Sequence, residues 1–505
     1  MSYYEQAIQP VRDERLVLGD SFAGTCGELL DCARSGCLLR QNRSFWQANM
    51  CQMSLSLMMA ATVENAVIIT HGPIGCGSTM HALSVGSNKG KVRRGKAPNP
   101  PVWLTTNMNE SDVISGGEGK LRDTIIHADR EFRPEIIFVV STCAPSIIGD
   151  DVEEVVRQAN EQTTANVTAI HCPGFKSRVV ASAYDAFYHS LLRHIRLEPL
   201  PYRDYQPVDP SDPDYEMKLR RFEYQKKMTV NLFNATSIGP DDEAELKRLL
   251  GALGLNVRIF AEYCGADELR MMSHAGLNLS MCNVHDDYIL SYLEERYGTP
   301  YIIAGMPLGF SATRAWLMKV AEHFGVEERA EKLIEDEERG AREAIEPFLP
   351  QVKGKRVLVC GGVIRSGTEA VMLKELGLEV VAVRAYHYDN GADPVLENVA
   401  RELPETPVAV SHQSFEFLNQ IRRYKPDLVI SHGGTHGFLA RAGATSIQLF
   451  DVDKPFFGYS GVFSILKRIV FAFKNTSYQE RLSKRVKFPY VDEWYEKDPF
   501  SYIKK

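Results

Sequence analysis

Two of the ten cysteines of the chain sit where an α/β sheet exposes backbone to a ligand. Cys76 lies in His71-Gly72-Pro73-Ile74-Gly75-Cys76-Gly77, directly after the apolar run Val67-Ile68-Ile69-Thr70. Cys143 follows Ile136-Ile137-Phe138-Val139-Val140-Ser141-Thr142 and precedes Ala144-Pro145-Ser146-Ile147-Ile148-Gly149-Asp150-Asp151. Ligands of open parallel sheets bind beyond the carboxyl ends of the strands, and glycines there let backbone come close. Cys51, upstream of the segment leading to Cys76, is a third thiol able to converge on the same point. Thiolates favour zinc, copper(I) or iron–sulfur clusters. A single cysteine is a small buried apolar residue roughly two times in three, but two at strand ends beside glycine turns lower those odds. A [4Fe-4S] cluster usually takes four cysteines, so three imply a partner chain that completes the site or shares a larger cluster. Cys282, closing the run Leu277-Asn278-Leu279-Ser280-Met281, is another thiol at the mouth of a sheet.

Other chemistries lack their signatures. There is no GxxxxGK[ST] loop, HExxH, GxSxG or strand-following GxGxxG, so ATP hydrolysis by this chain is not expected. Gly116-Gly117-Glu118-Gly119-Lys120 reads as a turn into a helix. Cys26, Cys32 and Cys37 fit no zinc spacing, with Cys37 a reserve ligand at most, and Cys172, Cys264 and Cys360 read as buried fillers. His387, His432 and His436 follow strands and could line a cavity, at roughly even odds with structural histidines.

The elements that must position these thiols are short β-branched runs alternating with helical patterns, the pattern of parallel sheets covered on both faces. Strands are expected at 66–70, 135–142 and 167–172, then at 229–235, 256–261, 277–281 and 300–305, and finally at 355–360, 378–385 and 427–431. A tract rich in Pro, Asp and Tyr at 197–215 reads as a linker, and 327–349 as a long, exposed connecting helix. The expected organisation is α/β: an amino-terminal extension (1–45) and three Rossmann-like, doubly wound units (46–227, 228–352 and 353–505). The length, 505 residues, agrees with several cores. A net charge of -7 makes nucleic acid an improbable partner. The polar start of the chain reads as cytoplasmic, and no apolar stretch is long enough for a membrane span.

HGPIGCG, STCAPSIIGDD, the intervening Asn109-Glu110-Ser111-Asp112-Val113-Ile114 with Gly116-Gly117, and LSMCNVHDDYILSYLEERYGTPY from Leu279 resemble the α-type subunit of the nitrogenase component-1 superfamily. The likeness covers nearly the whole chain. It implies a central metallocluster cleft, with Cys51, Cys76 and Cys143 holding half of a P-cluster-like interfacial iron–sulfur cluster, [8Fe-7S] or [4Fe-4S], and Cys282 anchoring a nitrogenase-cofactor-like cluster. The implied partners are a homologous β-type subunit in an α2β2 heterotetramer, a separate ATP-dependent iron–sulfur reductase and a small-molecule substrate. Arg365, in Cys360-Gly361-Gly362-Val363-Ile364-Arg365, matches the arginine that faces the cofactor.

The chain departs from that pattern where the family's second cofactor ligand, a histidine, stands. Counting back from Pro455-Phe456-Phe457-Gly458-Tyr459-Ser460-Gly461 gives Gln448, and counting forward from Asp427-Leu428 gives Phe450. The family's cofactor-side Gln and His fall near Val180 and Tyr184, and its homocitrate lysine near Gly434. These departures lead us to expect a nitrogenase-like reductase closest to methylthio-alkane reductase, using Arg365, Gln448 and Tyr184 around an all-iron [8Fe-9S-C] cofactor. A cofactor-assembly scaffold is the alternative, and a true nitrogenase α subunit ranks last.

Overall fold

A computed structural model describes residues 3–41, 51–78, 80–195, 197, 202–203, 206–207, 209–234, 238–432, 436–450 and 453–503. Three parallel sheets carry the chain. In the first, Val102–Thr105, Ala66–His71, Ile136–Ser141 and Asn166–His171 lie side by side in that order. The second repeats the plan with Asn256–Ala261, Thr229–Asn234, Leu277–Ser280 and Tyr301–Ile302. The third runs Ser446–Gln448, Leu428–Ser431, Arg356–Gly361, Glu379–Ala385 and Pro407–Val410. Each order doubles back on its first strand, leaving a crevice beside that strand where helices leave on opposite faces, the usual ligand position in doubly wound sheets.

The expected central strands are present because their Val, Ile and Leu are buried on both faces. Val102–Thr105, Pro407–Val410 and Ser446–Gln448 are not among the expected strands, because each is short and, unlike Leu277–Ser280 and Leu428–Ser431, not buried throughout. Phe22–Thr25, within the expected extension, pairs antiparallel with Pro407–Val410 and closes one edge of the third sheet. The helix Glu327–Ile345 is exposed along most of its length yet buries Ala330, Ile334 and Ile345. Of the expected linker, Tyr202–Arg203 pairs with Gln206–Pro207; residues 198–201, 204–205 and 208 lie outside the described residues. A single apolar core runs through all three units, and separate clusters cover the outer faces of the first and third sheets. Among the described residues, no helix is long and apolar enough to cross a membrane.

One buried charge cluster ties the units together. Arg12, with no exposure, places Nη1 2.7 Å from Asp287 Oδ1 and 3.4 Å from Asp185 Oδ1, and Nε 3.0 Å from Asp389 Oδ2. Asp185 belongs to the helix Ser182–His194 of the first unit, Asp287 to Asn283–Tyr297 of the second, and Asp389 to the third. Arg15 adds contacts of 2.9 Å to Asp185 and 2.7 Å to Asp287. Burial pushes the Asp185 carboxyl up to about 6 against the pull of Arg15 and Arg12. At Asp389 burial acts in the same direction, but Arg12 and His387 outweigh it and hold the carboxyl below its usual range.

Removing one partner of a buried ion pair costs about 3–5 kcal/mol, so Arg12→Ala is expected to lower the thermal midpoint clearly. The stranded carboxylates then have raised pKa values in the folded state, which therefore binds protons more tightly than the unfolded chain. Their penalty is present at high pH and relieved as pH falls through those values. Thermal scans should show a smaller deficit at pH 5 than at pH 8.

Candidate metal centre

The crevice of the first sheet lies between Ala66–His71 and Ile136–Ser141. The loop leaving the first strand carries Cys76 and the one leaving the second carries Cys143. Gly72, at φ +155°, has no room for a side chain of its own, so its bare backbone packs directly against the Thr142 side chain and brings the two loops together. His71 fixes the arrangement: its Nε2 stands 3.0 Å from Asp150 Oδ2 and its Nδ1 3.0 Å from Thr106 Oγ1. Gly117 donates its N–H to Asp150 at 3.1 Å. Burial pushes His71 below its ordinary value despite Asp150. The motifs separated in sequence thus form one hydrogen-bonded frame.

Cys51 precedes the helix Gln52–Ala60 and comes to the same place. Its sulfur lies 2.7 Å, and that of Cys143 3.6 Å, from where a Cβ on Gly174 would stand. The Gly174 N–H donates to Cys143 Sγ at 3.1 Å. Burial raises the Cys76 thiol, and Cys143 and Cys51 raise it further while Thr142 opposes. All three thiols are free, and none is fully buried. Among the described residues, no three His, Cys, Asp or Glu side chains converge tightly enough to hold one metal ion. Cys172 stands behind them, fully buried, accepting from Ser56 Oγ at 3.1 Å, with its thiol pushed up to about 12 by burial and then by Cys51 and Cys143. Sequence reasoning read Cys172 as filler and passed over Gly174; Cys172-Pro173-Gly174 at a strand end was the available signal.

The chain beyond the second and third sheets brings Cys282 within electrostatic reach of Arg365. Cys282 follows Leu277–Ser280 and opens the helix Asn283–Tyr297. Its N–H donates to Ser280 Oγ at 2.9 Å; Asp286 accepts from the Ser280 hydroxyl at 2.5 Å and from Tyr188 at 2.7 Å. Burial pushes the Cys282 thiol up to about 12, partly opposed by Arg365. Arg365 and His432 leave the adjacent strands Arg356–Gly361 and Leu428–Ser431 and meet at 3.0 Å between Nη1 and Nε2. Burial, then Arg365, pushes His432 down to about 3. The Arg365 guanidinium also lies 4.6 Å from the centre of the Phe450 ring, a cation–π distance.

The two counts for the missing histidine therefore separate. Phe450 packs under Arg365, whereas Gln448 ends an edge strand and donates Nε2–H to the Phe450 carbonyl at 2.8 Å. Tyr184 is buried and stacks on His285 with ring centres 4.0 Å apart. His189 is satisfied by Tyr288 and the Gln6 carbonyl, a structural role. Gly434 and the side chain of His436 lie outside the described residues. Cys32 and Cys37, which fit no zinc spacing, are joined by a disulfide, since the glycine turn at Gly36 brings their Cα atoms to 4.9 Å, and Cys37 is thereby no reserve ligand.

The family model for nitrogenase component 1 type oxidoreductases matches residues 51–474. The nitrogenase molybdenum-iron protein alpha chain of Methanothermobacter marburgensis is 29% identical over 430 residues, covering 83% of this chain and 86% of the relative. The nitrogenase iron-molybdenum cofactor biosynthesis protein NifE of Methanococcus maripaludis is 26% identical over 415 residues, covering 79% of this chain and 78% of the relative. A solved structure of nitrogenase Cp1 at pH 6.5 superposes with a TM-score of 0.70 at 20% identity, covering 92% of this chain and 99% of that one, which agrees in fold. With the matched segment spanning all three sheets and every placed thiol, the chain belongs to the nitrogenase component 1 family of oxidoreductases.

Proposed function

We propose that this chain is the catalytic subunit of a nitrogenase-like reductase that cleaves the C–S bond of methylthio-alkanes. Iron–sulfur clusters are general in the family, as is assembly with a β-type subunit and a separate reductase. The donor set fits such clusters: Cys51 and Cys143 line the glycine cradle at Gly174, which a Cβ would fill, Cys76 stands within electrostatic reach of both, and Cys282 lies near the Arg365 cation. Cys51, Cys76 and Cys143 would hold an interfacial electron-relay cluster, and Cys282 an all-iron cofactor. Exposed Ile74, Ile147 and Phe175 beside the three thiols form an apolar surface suited to the second subunit. ATP-dependent chemistry is left to the reductase partner.

One observation carries the substrate class. Where the family pattern places polar ligands and donors, this chain has Tyr184 stacked on His285 and Phe450 under Arg365. Aromatic walls suit an uncharged thioether. The reaction consumes two electrons and two protons, R–S–CH3 becoming R–H and CH3SH; the cofactor when bound supplies the electrons. Arg365 offsets the negative charge of the cluster, and the buried aromatic groups exclude water. The similarity to NifE favours a second reading, a scaffold on which the cofactor is assembled and passed on.

An anaerobic assay with reductase, MgATP and either dimethyl sulfide or dinitrogen separates these readings. Methanethiol and methane without ammonia are expected; cluster transfer to an acceptor apoprotein with no product would establish the scaffold, and ammonia a nitrogenase. Omitting the reductase should abolish turnover. Cys51→Ala, Cys76→Ala and Cys143→Ala should each lower iron content and electron transfer, and normal iron in all three would refute the relay. Gly174→Ala should reduce iron at this site with little loss of fold, since its methyl group would stand 2.7 Å from Cys51 Sγ. Stoichiometric molybdenum or vanadium in metal analysis would overturn the all-iron assignment.

A further inference from the structure

The buried imidazole of His387 leaves one ring nitrogen unused in the fold. It follows the strand Glu379–Ala385 and is 6% exposed, yet its Nδ1 has no hydrogen-bond partner. Its Nε2 stands 3.4 Å from Asp389 Oδ2, and Nδ1 meets no polar group. Buried polar groups are normally paired, and an unpaired one calls for a missing ligand or water. Asp389 links this histidine to Cys282: Arg12 Nε holds the carboxylate at 3.0 Å, and its charge acts on the Cys282 thiol. A metal-bound histidine ordinarily directs its second nitrogen to a carboxylate, which fixes the ring. His387 and Asp389 already stand in that relation, with Nδ1 left over.

Two other candidates are occupied or chemically unsuited. His432 Nε2 lies 3.0 Å from Arg365 Nη1, which takes up its lone pair. Gln448 offers only an amide oxygen, a poor donor for iron in a sulfide environment, and its Nε2–H is engaged with the Phe450 carbonyl.

We propose that His387, oriented by Asp389, is the second protein ligand of the cofactor anchored by Cys282, binding through Nδ1. This rests on the reading of Cys282 as a cofactor thiol. A long cluster held at two ends does not need its ligands in contact.

The test uses the complex purified anaerobically with its partner subunit, comparing wild type, His387→Ala, His387→Gln and Cys282→Ala. The measurements are iron per complex and nitrogen coupling in pulsed EPR of the reduced protein. Both His387 variants should lose most of the iron above that of the interfacial cluster, at least about ten-fold in retention against a chelator, while the interfacial cluster signal persists and reports intact folding. Wild-type nitrogen coupling should respond to 15N-histidine labelling and vanish in His387→Gln. Full iron and unchanged coupling in both His387 variants, with iron lost in Cys282→Ala, overturns this inference alone. A wild-type complex whose iron is unaffected by Cys282→Ala overturns the cofactor reading and the inference with it.

Discussion

Arg12 has no contact with water and three carboxylates to satisfy, one from each sheet-bearing unit. A guanidinium suits this task because it is always charged and presents its donors in a fixed fork. With Arg15 beside it, two cations face Asp185, Asp287 and Asp389, leaving one negative charge in excess. The structure relieves that excess unequally. Asp185 is raised to about 6 by burial, whereas Asp389 is held low by Arg12 and His387. Of the three, the carboxylate whose charge acts on the Cys282 thiol, Asp389, is thus the one kept ionised. Relative placement of the second and third crevices depends on this cluster, since Asp287 lies five residues beyond Cys282 and Asp389 acts on the Cys282 thiol.

Much of this architecture was legible in the sequence, and what was missed has a common cause. The central strands carry unbroken Val/Ile/Leu runs because both faces are covered, so Ile136–Ser141 and Arg356–Gly361 announce themselves locally. Cysteines at the ends of such strands inherit their position from topology, which is why Cys76, Cys143 and Cys282 could be placed without coordinates. Phe22–Thr25 and Ser446–Gln448 are short and take their strand character from partners distant in the chain. Arg12 looked like any charged residue of an amino-terminal segment, since nothing local records that three aspartates far along the chain will surround it. The Cys32–Cys37 pairing depended on the left-handed turn at Gly36, a conformation rather than a composition.

Thiol energetics also divide the two centres. Cys282 is buried with its proton held to about pH 12, whereas Cys51 is exposed and Cys76 and Cys143 are half-buried. Metal binding must expel that proton, so affinity at Cys282 includes the cost of creating a buried thiolate. Arg365 lowers this cost but cannot remove it, since burial remains the dominant influence. The outer trio faces the opposite problem: three neighbouring thiolates repel one another, as the upward push of Cys143 and Cys51 on Cys76 already shows. A metal cation or cationic cluster core shared among them would offset that repulsion.

Retention follows from the same balance. A cluster held at one buried thiolate, with Arg365 as its counter-charge, is attached by a single bond that a proton can reclaim. Such an attachment suits a protein that passes its cluster onward. A second bond at the far end raises the effective concentration of each ligand for the other, so that breaking either one no longer releases the cluster. A neutral imidazole supplies that bond without adding to the negative charge around Asp389, which a second thiolate would increase. The choice between keeping and releasing a cluster therefore turns on whether a neutral donor with a free lone pair stands near the Cys282 pocket, and among the described imidazoles there, His432 has given its own to Arg365.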